Sequence, residues 1–219
     1  MIVPLHLDDW LLVAEKPAGL LSVAGRGPAG EDCLHARVRR QWPDALVVHR
    51  LDMATSGLMV FARGIEAQRT LSRAFASREV GKRYVAVVAG VPRPWDPDAD
   101  GWSVIDLPLA ADWPARPRQK VDAAHGRPSL TRWRAIGGAP GPWGAGTLLE
   151  LEPVTGRSHQ LRVHLAAIGH PVVGDALYAP EPLALAASRL LLHAEQLSLR
   201  HPWDGGTVAW HRAAPFRST

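Results

Sequence analysis

Seven apolar, strand-like segments and only three helix-like ones follow one another along this chain, a ratio that leaves few folds open. The strand-like segments are "WLLVAEKPAGLLSV", "ALVVHRLD", "GLMVFAR", "RYVAVVAG", "SLTRWRAI", "TLLELEPV" and "LLLHAEQLSLR". The helix-like ones are "DCLHARVRRQW", residues 64–79 and "SHQLRVHLAAIG". Hairpin-like neighbours with few crossovers predict an α+β fold, with a central mixed, largely antiparallel sheet flanked by helices and loops. Pro and Gly cluster at 91–101, 112–118 and 137–146, where strand signals resume within a few residues, so these are loops rather than linkers. One domain over residues 1–219 is the expectation.

Composition agrees with that. At 219 residues and 47% hydrophobic, the chain can bury a substantial core. The start "MIVPLHLDDW" carries no basic leader, and no stretch approaches the ~18 apolar residues of a membrane span, so a cytoplasmic protein is expected; nothing in the sequence signals an interface, and a monomer is the default expectation. Cys33 is the only cysteine, which excludes an internal disulfide and a cysteine-based zinc cluster; it reads as a small buried hydrophobe.

The charge is more informative by type than by sum. Net charge is +4, yet of the 25 basic side chains only Lys16, Lys82 and Lys120 are lysines. Arginine forks suit phosphates and stack on bases, although a GC-rich coding bias would produce the same excess. In "GIEAQRTLSRAFASREV", Ile65, Leu71, Ala74 and Phe75 are spaced as the buried side of a helix that would leave Arg69 and Arg73 on a basic face. Such a face is commonly just solvated, and it also fits the footprint of a nucleic-acid binder.

Several familiar motifs fail on inspection. "GGAPGPWGAG" has the glycines of a phosphate cradle but lacks Gly-Lys-Ser/Thr, and reads as a hairpin loop. His159 and His164 do not match the spacing of a helical zinc pair, so no metal is expected. The serine of "HRLDMATSG" is not in a Gly-x-Ser-x-Gly elbow.

Two charged clusters remain. In "VVHRLDMATSGLMVFAR", Asp52 lies between two apolar runs, with Val47 and Val48 read as one buried strand and Leu58 to Phe61 as another. Asp52 is then at a strand end or on the connecting loop, where it could form the turn or act as a rigidly held nucleophile or base. In "EPVTGRSHQLRVHLAAIGHPVVGDALYA", Arg157, His159, Gln160, Arg162 and His164 crowd a turn entering an apolar helix, a density that suggests an anionic partner.

"HRLDMATSGL" resembles the aspartate motif of pseudouridine synthases of the RluA family. "VAEKPAGLLSV", "GKRYVAVVAG", "GRSHQLRVHLAAIGHPVVGD" and "RLLLHAEQLSL" match further family stretches in the same order, so the resemblance runs from about Asp8 to Leu199. "DWPARPRQKV" resembles a segment of the family's dual-specificity branch, which modifies a 23S ribosomal RNA hairpin and the first nucleotide of certain tRNA anticodon loops. The N-terminal S4-type module of many relatives has no counterpart in these matches.

The resemblance implies a cofactor-free isomerase that turns uridine into pseudouridine in structured RNA. It assigns the nucleophile to Asp52, attacking the sugar C1′ or base C6 or acting through a glycal. Burial would raise the pKa of that carboxylate, so a cation must hold it ionised; the resemblance assigns Arg162 to this. Tyr84 would stack on the target base and handle a proton. The target must be flipped out of its helix at a cost of a few kcal/mol, and Arg50 resembles the residue that fills the gap, with a salt bridge on the strand as its plain alternative. Arg157 and Lys120 would touch phosphates, and Leu191 would line the uracil pocket. Pro17, Gly19, Gly57, His164 and His193 read as structural.

Two other classes account for part of this pattern. One is an RNA-binding protein on an inactive synthase fold, against which the joint presence of Asp52, Tyr84 and Arg162 argues. The other is a glycoside hydrolase, which needs a second carboxylate that the Asp52 motif does not supply.

Overall fold

The computed structural model describes residues 1–217, which divide into two compact units. Residues 1–82 with 194–214 form the first, and residues 83–193 with those from Pro215 onward form the second. The architecture is α+β, as expected.

The first unit contains β1 (His6–Leu7), β2 (Leu11–Lys16), α1 (Leu34–Arg39), β3 (Ala45–Val47), β4 (Ser56–Arg63) and α2 (Ile65–Ala76), followed by most of β11 (Leu192–Arg200) and β12 (Thr207–His211). The second holds most of β5 (Gly81–Ala89), then β6 (Ser103–Asp106), β7 (Leu109–Ala111), β8 (Gln119–Val121), β9 (Leu130–Gly138), β10 (Gly146–Pro153), α3 (Gln160–Ala167) and α4 (Glu181–Leu185).

In the first unit the strand order is β1-β2-β4-β11, with β3 also paired to β4 and β12 to β11. β2 and β4 run antiparallel from Leu11↔Ala62 to Lys16↔Gly57. Both are buried almost throughout, which is why they read as continuous apolar runs rather than alternating ones. The helix α2 lays Ala67 and Leu71 onto this layer, closing a core with Leu11, Val13, Leu58, Val60, Val80, Leu197 and Leu199. Leu71 is buried, and Ala74 and Phe75 are half-buried as their spacing predicts. Ile65 departs from the expectation: it is the first residue of the helix, before the buried stripe begins, and is 54% exposed. Arg69 and Arg73 do lie on the exposed face.

In the second unit the order is β5-β10-β9-β6, and β7 and β8 form a separate hairpin. "GGAPGPWGAG" is the β9–β10 hairpin connection, joining strands paired from Thr147↔Gly138 to Pro153↔Thr131. The described residues contain no helix long and apolar enough to cross a membrane.

Gly57 shows why the aspartate motif carries a glycine after its serine. Its φ is 120°, and a Cβ there would stand 2.3 Å from the carbonyl oxygen of Ala194. Gly57→Ala therefore combines backbone strain with overpacking against backbone that cannot swing aside. We expect thermal unfolding to show a Tm lower by roughly 5–15 °C.

Candidate active site

Asp52 lies on the connection between β3 and β4, half-buried. β3 is shorter than the sequence suggests: Val47 ends it half-buried and Val48 lies beyond it. The cause is His49, whose Nε2 accepts the Val60 backbone N–H at 3.0 Å and so replaces the ladder. Its ring stacks on Phe75 at 4.5 Å. Burial, helped by the Lys82 charge, pushes the imidazole down to a pKa of about 3, which keeps Nε2 available as an acceptor.

The turn carrying Asp52 is fixed from both sides. Ser22 Oγ accepts from Leu51 N at 3.0 Å and donates to Leu51 O at 2.7 Å, engaging both backbone groups of the preceding residue. On the following residue, Met53 O accepts from Gly19 N at 2.9 Å and from the Lys16 ammonium at 3.0 Å. Lys16 is fully buried and also donates to Pro17 O and Leu20 O, so "EKPAGLLS" forms a bracket around the aspartate. Thr55 N donates to Asp52 O, closing the turn. Gly19, with φ 83°, supplies the tight turn in that bracket. These bonds hold the Asp52 backbone in place, as a reacting carboxylate requires.

Arg50, two residues away, is exposed, and its guanidinium makes no ion pair among the described residues. The strand salt bridge considered for it is not formed there.

The remaining predicted residues belong to the second unit. Tyr84 is half-buried on β5, opposite Leu151 of β10. Leu191 is 6% exposed; its N–H donates to Val173 O and its carbonyl accepts from Val87 N. Arg162 is on α3, 4% exposed, and its Nε and Nη2 form a two-pronged contact with Asp175 at 2.8 and 2.7 Å.

The anion suggested by the crowded cluster is thus at least partly internal, since Asp175 is itself buried. Asp175 Oδ1 also accepts from Leu177 N and Tyr178 N, which fixes the carboxylate that fixes the arginine. Gln160 and His164, the other polar side chains buried on α3, are likewise used inside the fold. Gln160 donates to Leu130 O and Thr131 Oγ1, and accepts from Thr155 Oγ1 and Arg157 N. His164 bonds Thr131 Oγ1 and Leu107 O, which makes it the structural histidine expected. Burial lowers its pKa and favours the neutral ring.

Tyr178 gathers these pieces. Its hydroxyl accepts from Gln119 N at 2.8 Å and lies 2.6 Å from His159 Nδ1, while the Arg118 and Arg162 guanidinium groups lie 5.4 and 5.1 Å from its ring centre. His159 begins α3 in the left-handed conformation, with φ 56°, an uncommon geometry for a non-glycine residue. The base of the β7–β8 hairpin is therefore tied to the helix that carries Arg162. Lys120, on β8, is exposed and 3.7 Å from Asp122. Arg157 donates from Nε to Pro128 O and has no carboxylate partner among the described residues.

Sequence reasoning missed Asp175, Tyr178, Lys16, Ser22 and His49. The available signal was "GDALY", in which an Asp two and three residues before its backbone donors is a recognisable turn pattern.

The chain belongs to the RNA pseudouridylate synthase family, which it matches over residues 10–167, a span that includes parts of both units. Within that family its relatives include RluA enzymes. It is 46% identical over 215 residues to the dual-specificity RNA pseudouridine synthase RluA of Escherichia coli K12, covering 98% of this chain and 94% of the relative. Against the RluA of Yersinia pestis it is 44% identical, over 98% and 100%. The solved structure of human RNA pseudouridylate synthase domain containing 1 is similar with a TM-score of 0.80 at 26% identity, over 98% and 84%. Family membership makes the chain an RNA-modifying isomerase.

Proposed function

We propose that this chain converts uridine to pseudouridine in a 23S ribosomal RNA hairpin, the first nucleotide of a tRNA anticodon loop, or both, with Asp52 as nucleophile. The observation that carries this reading is the bracket of Lys16, Ser22 and Gly19, which immobilises the backbone on both sides of Asp52. The RluA relatives, described as dual-specificity RNA enzymes, support the choice of RNA. The whole chain would act as one catalytic domain.

In the reaction the N1–C1′ bond breaks, the uracil turns, and a C5–C1′ bond forms. The C5 proton leaves to solvent and N1 takes one up, so substrate and product are isomers and no cofactor is needed. Asp52 would attack C1′ or C6, or promote glycal formation. Arg162 would supply the positive field that keeps it ionised. Arg50, exposed and without an ion pair among the described residues, would enter the stack as the uridine leaves it. Leu191 would face the uracil, and Arg157 and Lys120 would position the phosphate backbone without reading sequence.

Tyr84→Phe keeps the ring that stacks on the base and removes the hydroxyl that would move a proton. We expect RNA binding close to wild type and kcat lower by about 10²-fold or more, read from tritium release under saturating RNA. The substrate assignment is tested by release of tritium from 5-tritiated uridine in the two RNAs. Release from either supports it; release from neither, by a protein that binds both, favours the RNA-binding reading.

A further inference from the structure

Trp113 stands at the tip of the β7–β8 hairpin, 66% exposed. Exposed tryptophans are found elsewhere in the chain, but their settings differ. Trp203 stacks on Trp10 at 5.0 Å, and Trp95 sits in the acidic run "WDPDADG". The Trp113 loop, "DWPARPRQK", sets one carboxylate against Arg116, Arg118 and Lys120. Neither Arg116 nor Arg118 has an ion pair among the described residues, and the Lys120 contact with Asp122 is long at 3.7 Å.

The loop is also pre-ordered. Asp112 N donates to Arg118 O, Ala115 N to Asp112 O and Arg118 N to Ala115 O, each within 3.1 Å. The Arg116 guanidinium lies 3.2 Å from the centre of the indole. With one face covered, the exposure of the ring must come from its opposite face and edges.

A flat aromatic surface, backed by the Arg116 cation on a loop that also carries Arg118, suits an unpaired base whose phosphates the arginines of the loop can meet. We propose that Trp113 is a stacking platform for an unpaired base of the RNA substrate, a contact separate from the Asp52 chemistry. This rests on the RNA-modifying reading above and adds a residue that chooses among RNAs. Because the tie from Tyr178 fixes the base of the hairpin, the platform is held by a rigid element.

The test uses the full chain with an anticodon stem-loop and a 23S hairpin transcript, measuring Kd for each RNA and KM and kcat by tritium release. For the preferred RNA, Trp113→Ala raises Kd and KM by about 5- to 100-fold and leaves kcat and Tm unchanged. Trp113→Phe restores most of the affinity. Unchanged Kd and KM in Trp113→Ala, or equal losses in the Ala and Phe variants, overturn the proposal. If wild type releases no tritium from either RNA, the catalytic reading fails, and the ratio of Kd values between wild type and Trp113→Ala still decides whether the platform exists.

Discussion

Asp175→Asn is expected to cause a large loss of stability, about 3–5 kcal/mol, seen as a Tm lower by roughly 6–20 °C. Asp175 is fully buried and meets Arg162, 4% exposed, in a two-pronged contact. The amide removes the counter-charge and, with its oxygen kept on Leu177 N and Tyr178 N, turns its NH2 toward the guanidinium Nε, donor against donor. Leaving a buried cation without its carboxylate is far costlier than the net worth of the pair. A control is built into the molecule. Arg37 and Asp32 make the same two-pronged contact, at 2.8 and 2.6 Å, but in solvent. There water replaces the lost partner, so Asp32→Asn should leave Tm unchanged. Equal effects of the two substitutions would contradict the role given to burial. Activity should fall with Asp175→Asn even at temperatures where the variant is folded, because Arg162 loses the contact that aims it.

Asp52→Asn has the largest expected effect on catalysis. Asparagine matches aspartate in size and leaves the clamps on Leu51 and Met53 intact, since those bonds use backbone groups. Folding and RNA affinity should therefore stay near wild type. The amide cannot act as the nucleophile, so turnover should drop on the order of a thousandfold or more.

Much of this arrangement was legible in the residues. The strand-turn-strand around Asp52 could be read because Leu58 to Ala62 of β4 is an unbroken apolar run with the turn residues "DMATSG" just before it. The helix α2 could be read because its apolar positions repeat at helical spacing. By contrast β1, β6, β7, β8 and β12 are only two to five residues long, and β6 buries Ser103 while exposing Val104, so they leave little periodic signal. The bracket around Asp52 was hidden for a different reason. Its bonds join a side chain to backbone 29 or 37 residues away, which no local pattern encodes. The Arg162–Asp175 pair was missed because the arginine's chemistry pointed outward to RNA, while its buried position required an internal carboxylate as well.

The central claim is that Asp52, held by its bracket, is the one nucleophile of a uridine isomerase. Its most direct test is tritium release from 5-tritiated uridine in the anticodon stem-loop and the 23S hairpin, run with wild type and Asp52→Asn alongside binding of the same RNAs. The account predicts release by wild type, none by the variant, and equal binding by both. Release by Asp52→Asn at the wild-type rate would contradict it.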